Sequence, residues 1–403
     1  MKHIYLLTES DVSSAYGRGT YIQQLKKCFE NDKTVSLNIV HFFANNEEFS
    51  TSMEDNVRTF FFPFQKITPA LASKYYRSCW HVLKSYITLN DNEQIIFHLN
   101  FLQEYELVLF IKEDIPSAKI FFTLHFQQWS TALLGNVSYY KKIISDNNPR
   151  KERIENEIYS YYLAEKRVFK NVDQIICLSE FTKELLINTY KLPADKIRLI
   201  YNGLQNDFTI LTKKEKENLK NELYIPVQEE VLLFVGRLEQ SKGLDILINS
   251  FKKVVESYQN CKLIIIGDGD FSKYFKEIKG YRNKIIFTGK LDKNELYTYY
   301  QIADIGIIPS FHEQCSYVAI EMMGFGIPII SSSASGLCEM IKEYKGGTIV
   351  DISGSENKMT NTSYILFQEI LSSLKAKKNI KAKMPDIFKL EKMRKEYQIL
   401  YNY

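Results

Sequence analysis

No apolar run in this 403-residue chain is long enough to span a bilayer, which argues against an integral membrane protein. No two cysteines form a C-x2-C pair. The six present (Cys28, Cys79, Cys177, Cys261, Cys315 and Cys338) are scattered, which excludes a zinc-finger frame and reads as reduced thiols in a cytoplasmic protein. Charge of one sign is also missing. Lys and Arg number 52 against 48 Asp and Glu, a net +4 that does not argue for nucleic acid but would not oppose a phosphorylated ligand. The first residues, Met1-Lys2-His3-Ile4-Tyr5-Leu6-Leu7-Thr8-Glu9, are no signal peptide, because the apolar run is short and an acid follows it. Gly267-Asp268-Gly269 lacks the third glycine of a dinucleotide fingerprint, and Lys242-Gly243 has the wrong order for a P-loop. The D-x-D spacing Asp268-Gly269-Asp270 falls in that same glycine turn, and no metal or cofactor is expected.

What is present is alternation. Short apolar runs at residues 3–7, 37–42, 59–62, 95–98, 119–125 and 174–178 read as strands. Helical spacing lies between several of them, as at 70–87 and 105–114. The second half repeats the theme with runs at 231–235, 262–266, 285–287, 305–308 and 328–331. Strands alternating with helices predict α/β architecture with parallel sheets covered on both faces, and a chain this long predicts two or three domains. Ligands of such sheets sit beyond the C-terminal strand ends. The Lys-, Glu- and Asn-rich residues 212–221 mark the expected domain boundary.

One strand end draws the chemistry together. Ile305-Gly306-Ile307-Ile308 is followed by Pro309-Ser310, which stop the strand, and from Ser316 the spacing of Val318, Met322 and Phe325 is helical. Glu313 stands in the turn and Glu321 in the helix. Largely helical, that span covers roughly 12 Å at about 1.5 Å per residue. Backbone N–H groups near Cys315, Ser316 and Tyr317 lie at the helix start, where an anion is favoured. A ligand with hydroxyls at both ends and a diphosphate between fits this, and a nucleotide-sugar is one. A solvated helix start with a dipole-favoured Glu is the plain alternative.

The stretch from Glu313 to Glu321 resembles the E-x7-E signature of retaining glycosyltransferases of family 4. Three further segments resemble the family. Gly236-Arg237-Leu238 with Lys242-Gly243-Leu244-Asp245 matches its G-R-L…K-G-x-D pattern. Thr123-Leu124-His125 matches its T-x-H segment. Gly17-Arg18-Gly19 sits where the G-G-x-G loop would be, with Tyr16 in place of the first glycine. The resemblance implies a GT-B fold: two Rossmann-like domains with parallel sheets facing across a cleft. Residues 1–203 would be the acceptor-binding domain with a helical insert at about 127–170, and residues 204–385 the nucleotide-sugar-binding domain. A C-terminal helix at 386–403 would return to the first domain.

The family's roles carry over by position. Glu313 would bind donor-sugar hydroxyls and Glu321 the nucleotide ribose. Arg237 and Lys242 would grip the diphosphate and support its departure. Gly17 and Gly19 would let backbone approach a phosphate, and Gly289, Lys290 and Leu291 would hold the base through backbone groups. Cys315, Ser316 and Tyr317 would line the donor, with Ser316 small where the ligand comes close. His125 would lie against the donor sugar near the reacting carbon. His98, another strand-end histidine, would serve the acceptor pocket. Trp129, in the aromatic segment after His125, is a second acceptor candidate, although such aromatics suit helix packing equally well.

The implied activity is retaining, metal-independent glycosyl transfer in glycan biosynthesis. The donor would be a nucleotide-diphosphate sugar, UDP-sugar favoured, and the acceptor a hydroxyl of a glycan, a lipid-linked species or a peptide. A non-catalytic GT-B partner subunit that binds sugar or peptide, or a nucleotide-sugar epimerase, are the alternatives. A cytoplasmic location is expected. The Lys-rich residues 375–389 read first as solvated surface and second as a basic face for anionic lipid at the inner membrane face.

Overall fold

The computed structural model describes residues 1–10, 17–64, 69–88, 90, 93–101, 105–145, 152–352, 359–376 and 382–402. Tyr16, Asn147-Asn148-Pro149-Arg150 and part of the Lys-rich stretch (377–381) lie outside the described residues. The chain divides into two compact units, Met1–Gln205 with Leu390–Tyr403, and Asn206–Lys389. Among the described residues no helix is long and apolar enough to cross a membrane.

The first unit holds β1 (Lys2–Glu9), β2 (Val35–Ala44), β3 (Ser50–Glu54), β4 (Val57–Pro63), β5 (Gln94–Leu99), β6 (Lys119–Leu124), β7 (Gln174–Cys177) and β8 (Ile197–Leu199). Their order is β3-β4-β2-β1-β5-β6-β7-β8. Every pairing is parallel except β3–β4, an antiparallel hairpin. Asp55 and Asn56 turn that hairpin with φ of 48° and 62°, the two-residue geometry that matches strand twist.

The second sheet holds β9 (Glu230–Val235), β10 (Cys261–Ile266), β11 (Ile285–Gly289), β12 (Ile305–Ile308), β13 (Ile329–Ser332) and β14 (Gly347–Val350). The order is β11-β10-β9-β12-β13-β14, parallel throughout. Its central strands are buried on both faces, which is why they read as unbroken apolar runs. In both sheets the strand order reverses beside the first strand. One switch point lies between β1 and β5, the other between β9 and β12, and doubly wound sheets bind ligands at such points.

Helices cover the sheets. The first unit carries α1 (Gly17–Phe29), α2 (Pro69–Lys84), α3 (Tyr105–Asp114), α4 (Gln128–Ala132), α5 (Val137–Ser145), α6 (Arg153–Asn171) and α7 (Glu180–Asn188). The second carries α8 (Lys213–Glu222), α9 (Leu244–Ser257), α10 (Phe271–Glu277), α11 (Lys293–Ile302), α12 (Tyr317–Gly324), α13 (Ser335–Glu343) and α14 (Met359–Ala376). The last helix, α15 (Leu390–Tyr401), belongs to the first unit and packs on α1. The charged segment expected as a boundary is α8 itself. Thr212 and Glu215 close a reciprocal capping box at its start, so local hydrogen bonds make a helix where composition suggested a link.

Each unit has its own core. Phe97, Phe122, Trp80 and Phe169 anchor the first, and Leu232, Leu247, Phe251 and Ile370 the second. Each such buried side chain contributes about 1.5–3 kcal/mol over leaving it in water.

Candidate functional site

At the second switch point, β9 ends in Gly236-Arg237-Leu238 and β12 in Pro309-Ser310. The two loops are sewn together by backbone. Phe311 N–H donates to the Ser241 carbonyl at 2.9 Å. Gly243 has φ +68° and caps α9, and a Cβ there would overlap the Pro309 carbonyl. Gly267 lies against the Gly236 carbonyl so closely that a Cβ would overlap it too. The G-x-G after β10 therefore serves close loop packing.

This stitching delivers Lys242 to Glu313. Lys242 Nζ lies 2.6 Å from Glu313 Oε1, and Ser310 Oγ donates to the same oxygen at 3.0 Å. Burial alone would push the Glu313 carboxyl up. The Lys242 ammonium and the Ser310 hydroxyl more than offset it, so the group sits below the usual carboxylate range and is ionised at neutral pH. The Glu313 backbone is fixed as well. Its carbonyl accepts from Ser335 Oγ at 2.8 Å and Gly336 N–H at 2.9 Å. Ser335 has then spent its proton, so it accepts from His312 Nδ1 at 3.0 Å. Burial pushes the His312 imidazole down to about 4, with Glu313 pulling the other way, so it is neutral at pH 7.

Glu321 is nearly buried, at 5% exposed, inside α12. Tyr300 Oη donates to its Oε2 at 2.9 Å and Lys293 Nζ lies 2.8 Å from its Oε1. Burial works against charge on Lys293, but Glu321 outweighs it and raises the ammonium above its ordinary value. Arg237 is half-buried and paired with Glu239 at 2.6 Å. Ser316 caps α12, its Oγ accepting from Ala319 N–H at 3.4 Å. Of the three N–H groups expected to face an anion, that of Ser316 turns to Met340 Sδ at 3.2 Å. The Cys315, Ser316 and Tyr317 side chains are buried. Gly289 ends β11 with φ +79°, and the exposed Lys290 and half-buried Leu291 lead into α11.

In the first unit, Gly17 and Gly19 open α1. Beside them, Arg18 lies over the Phe101 ring at 5.9 Å. His125 follows β6 and is partly exposed, with its Nε2 3.0 Å from Asn100 Oδ1. Burial, with Arg18 and His98 adding to it, holds His125 well below its ordinary value, so it is neutral. Beneath it runs a buried chain of neutral groups. Tyr401 Oη meets His98 Nδ1 at 2.6 Å, and His98 Nε2 meets Thr123 Oγ1 at 2.6 Å. Thr123 then meets Tyr21 Oη at 3.1 Å, and Tyr21 meets Tyr397 Oη at 2.5 Å.

The acceptor role expected of His98 and Trp129 is corrected here. His98 is 0% exposed and both its ring nitrogens are engaged in that chain. Trp129 is 2% exposed and stacks on Tyr140 at 4.6 Å. A side chain without surface offers no face to an acceptor, and both are packing groups. Sequence reasoning missed Asn100, Lys293, Tyr300, Ser310 and Ser335. Asn100 and Ser310 stand just past strand ends at the switch points, which was the available signal. Nothing in the sequence pointed from Lys293 or Tyr300 to Glu321.

Comparisons with known proteins follow the two halves. Residues 40–208 match the family model described as Glycosyltransferase Family 4, and residues 215–368 the one described as Glycosyl transferases group 1. An uncharacterized glycosyltransferase of Methanocaldococcus jannaschii is 37% identical over 179 residues, 43% of this chain and 46% of that protein. The lipopolysaccharide 1,2-N-acetylglucosaminetransferase of Salmonella typhimurium is 26% identical over 226 residues, 53% and 58% of the two chains. The chain thus spans about half the length of the curated relatives it matches. Among solved structures, sucrose-phosphate synthase from Thermosynechococcus elongatus aligns with a TM-score of 0.70 at 18% identity, covering 100% of this chain and 98% of that one. HepE of Anabaena, in complex with UDP and glucose, aligns at 0.71 and 15%, covering 99% of each. These likenesses show the fold, an α/β GT-B architecture.

Proposed function

We propose, from the match of residues 40–208 to the Glycosyltransferase Family 4 model and of residues 215–368 to the Glycosyl transferases group 1 model, that this protein transfers a sugar from a nucleotide-diphosphate donor to an acceptor hydroxyl. The observation that carries the reading is the Lys242–Glu313 pair, set at the switch point before α12 by loops that allow no side chain at Gly243. Glu313, ionised and fixed on three sides, is an acceptor for sugar hydroxyls. Lys242 and Arg237 each carry a carboxylate partner that a diphosphate can replace. As the sugar leaves, charge grows on the diphosphate, and these cations stabilise it without metal. The acceptor hydroxyl attacks from the leaving-group face with retention, the departing phosphate taking its proton. On the first unit, His125 is the proposed contact to a sugar hydroxyl. Glu321, with Lys293 and Tyr300, is proposed at the ribose, and the backbone of Gly289, Lys290 and Leu291 at the base. A UDP-sugar is favoured; the HepE structure holds UDP and glucose on the same fold. The acceptor is proposed as a glycan, lipid-linked or peptide hydroxyl, met in the cytoplasm, with peripheral membrane contact as a further proposal.

Incubation with a panel of nucleotide-sugars and acceptor pools, read as release of free nucleoside diphosphate, tests this. Release that depends on acceptor, with the product anomer matching the donor, is the expected result. No release from any pair would leave a binding subunit, and epimerised donor without acceptor would make it an epimerase.

A further inference from the structure

The Asn100 amide has only one self-consistent orientation. Its Nδ2 lies 3.1 Å from the Leu7 carbonyl and 3.3 Å from the His98 carbonyl. Carbonyl oxygens only accept, so the NH2 group must face both. The Oδ1 atom therefore faces His125, and an amide oxygen also only accepts. His125 Nε2, 3.0 Å away, must then carry the proton. In a neutral imidazole with Nε2–H, Nδ1 is a bare lone pair. Asn100 is 2% exposed, so water does not compete for these bonds. Tyr21 completes the seat, its ring edge-on to the imidazole at 4.5 Å between centroids. The charged and titratable neighbours are Arg18 and Tyr21 on α1 and His98 on β5, and both Arg18 and His98 disfavour a second proton on the ring.

We propose that Asn100 is a positioning residue that fixes His125 as its Nε2–H tautomer, so that the nitrogen left for a bound sugar, Nδ1, accepts a hydrogen bond and does not donate one. The consequence is a substrate class. At this contact the sugar must bring a hydrogen-bond donor, a hydroxyl. A deoxy position leaves the lone pair unmet, and a carboxylate there is repelled. The tautomer stands on geometry alone, whereas its use in sugar selection rests on the transfer reading above.

The test is nitrogen NMR of the full chain with its six histidines labelled, the His125 signal assigned by its loss in His125→Ala. The expected spectrum shows protonated Nε2 and bare Nδ1 at neutral pH. A proton on Nδ1 overturns the proposal, and this needs no variant to fold. Asn100→Leu should leave a tautomer mixture and lower kcat roughly tenfold, the order expected for one lost hydrogen bond. Asn100→Asp retains an acceptor and should restore the tautomer, while its carboxylate adds an acid limb to the pH–rate profile. An Asn100→Leu protein with an unchanged tautomer and rate also overturns it. If the tautomer is as stated but His125→Ala transfers sugar at full rate, the sugar role fails and the positioning stands.

Discussion

The two switch points have the same topology and opposite chemistry. Beside β9 and β12 the second unit assembles charge: Lys242 with Glu313, Arg237 with Glu239, Lys293 with Glu321. Beside β1 and β5 the first unit assembles, with Arg18 as a charged neighbour, a network of neutral groups: two imidazoles, an amide, a threonine and three tyrosines. Strand order decides where a ligand can sit, and the side chains beyond the strand ends decide what it can be. Exchangeable ion pairs suit a charged ligand, whereas a sealed neutral network holds shape and offers one lone pair.

The largest effect that would separate the two regions is on turnover. Glu313→Ala or Lys242→Ala should lower kcat by about 100- to 1000-fold with the fold retained, the range for losing one preorganised group. Tyr401→Phe in the first unit should leave kcat within severalfold. It should instead cost about 1–3 kcal/mol of stability, because His98 Nδ1 is left buried without its partner. Both tryptophans, Trp80 and Trp129, lie in the first unit, so urea unfolding followed by their fluorescence isolates that loss. The reverse pattern would erase the contrast.

Gly243→Ala comes next. The left-handed backbone alone costs about 1–3 kcal/mol, and the overlap with Pro309 forces the loops apart, so donor affinity should fall with stability. Circular dichroism should register the loss while tryptophan fluorescence does not.

Acid sharpens the comparison further. His98 is held down to about 3 from its usual 6.5 by burial. Between those values the unfolded chain binds the extra proton, so His98 lowers first-unit stability as pH drops, by about 1.4 kcal/mol per pH unit. His125, also held low, adds to this, and Glu165, raised to about 7 by burial, opposes it down to its ordinary 4.5. In the second unit His312 adds a shorter window, from 6.5 to about 4. Glu313, held low, adds a loss that begins only as pH falls through the ordinary carboxylate range. With two imidazoles against one carboxyl, tryptophan-monitored midpoints should fall between pH 7 and pH 4, and a flat profile would contradict neutral imidazoles at both His98 and His125. The smallest effect is expected for Lys293→Ala. This half-exposed cation is worth up to about 1 kcal/mol, seen as a severalfold rise in donor KM at constant kcat.

The second unit was the more legible of the two in sequence. Unbroken apolar runs such as 231–235 announce strands buried on both faces, and Gly236-Arg237 and Lys242-Gly243 sit at predictable strand ends. The Lys242–Glu313 contact was not readable, since it depends on Gly243 closing on Pro309 across 66 positions of chain. In the first unit the strands were legible, but His98 looked like His125 because both stand near strand ends. Only burial separates them: α15, more than 290 residues later, places Tyr401 on one and not the other. The β3–β4 hairpin escaped because its strand, Ser50–Glu54, carries little apolar signal. The Asp55-Asn56 turn was the clue.

Calorimetric titration of UDP into the wild type, Lys242→Ala and Arg237→Ala at two salt concentrations tests the central claim most directly. The account predicts saturable binding that weakens with salt and falls roughly tenfold or more in each variant, with folding unchanged. Binding of equal strength in all three proteins, or none in the wild type, would contradict it.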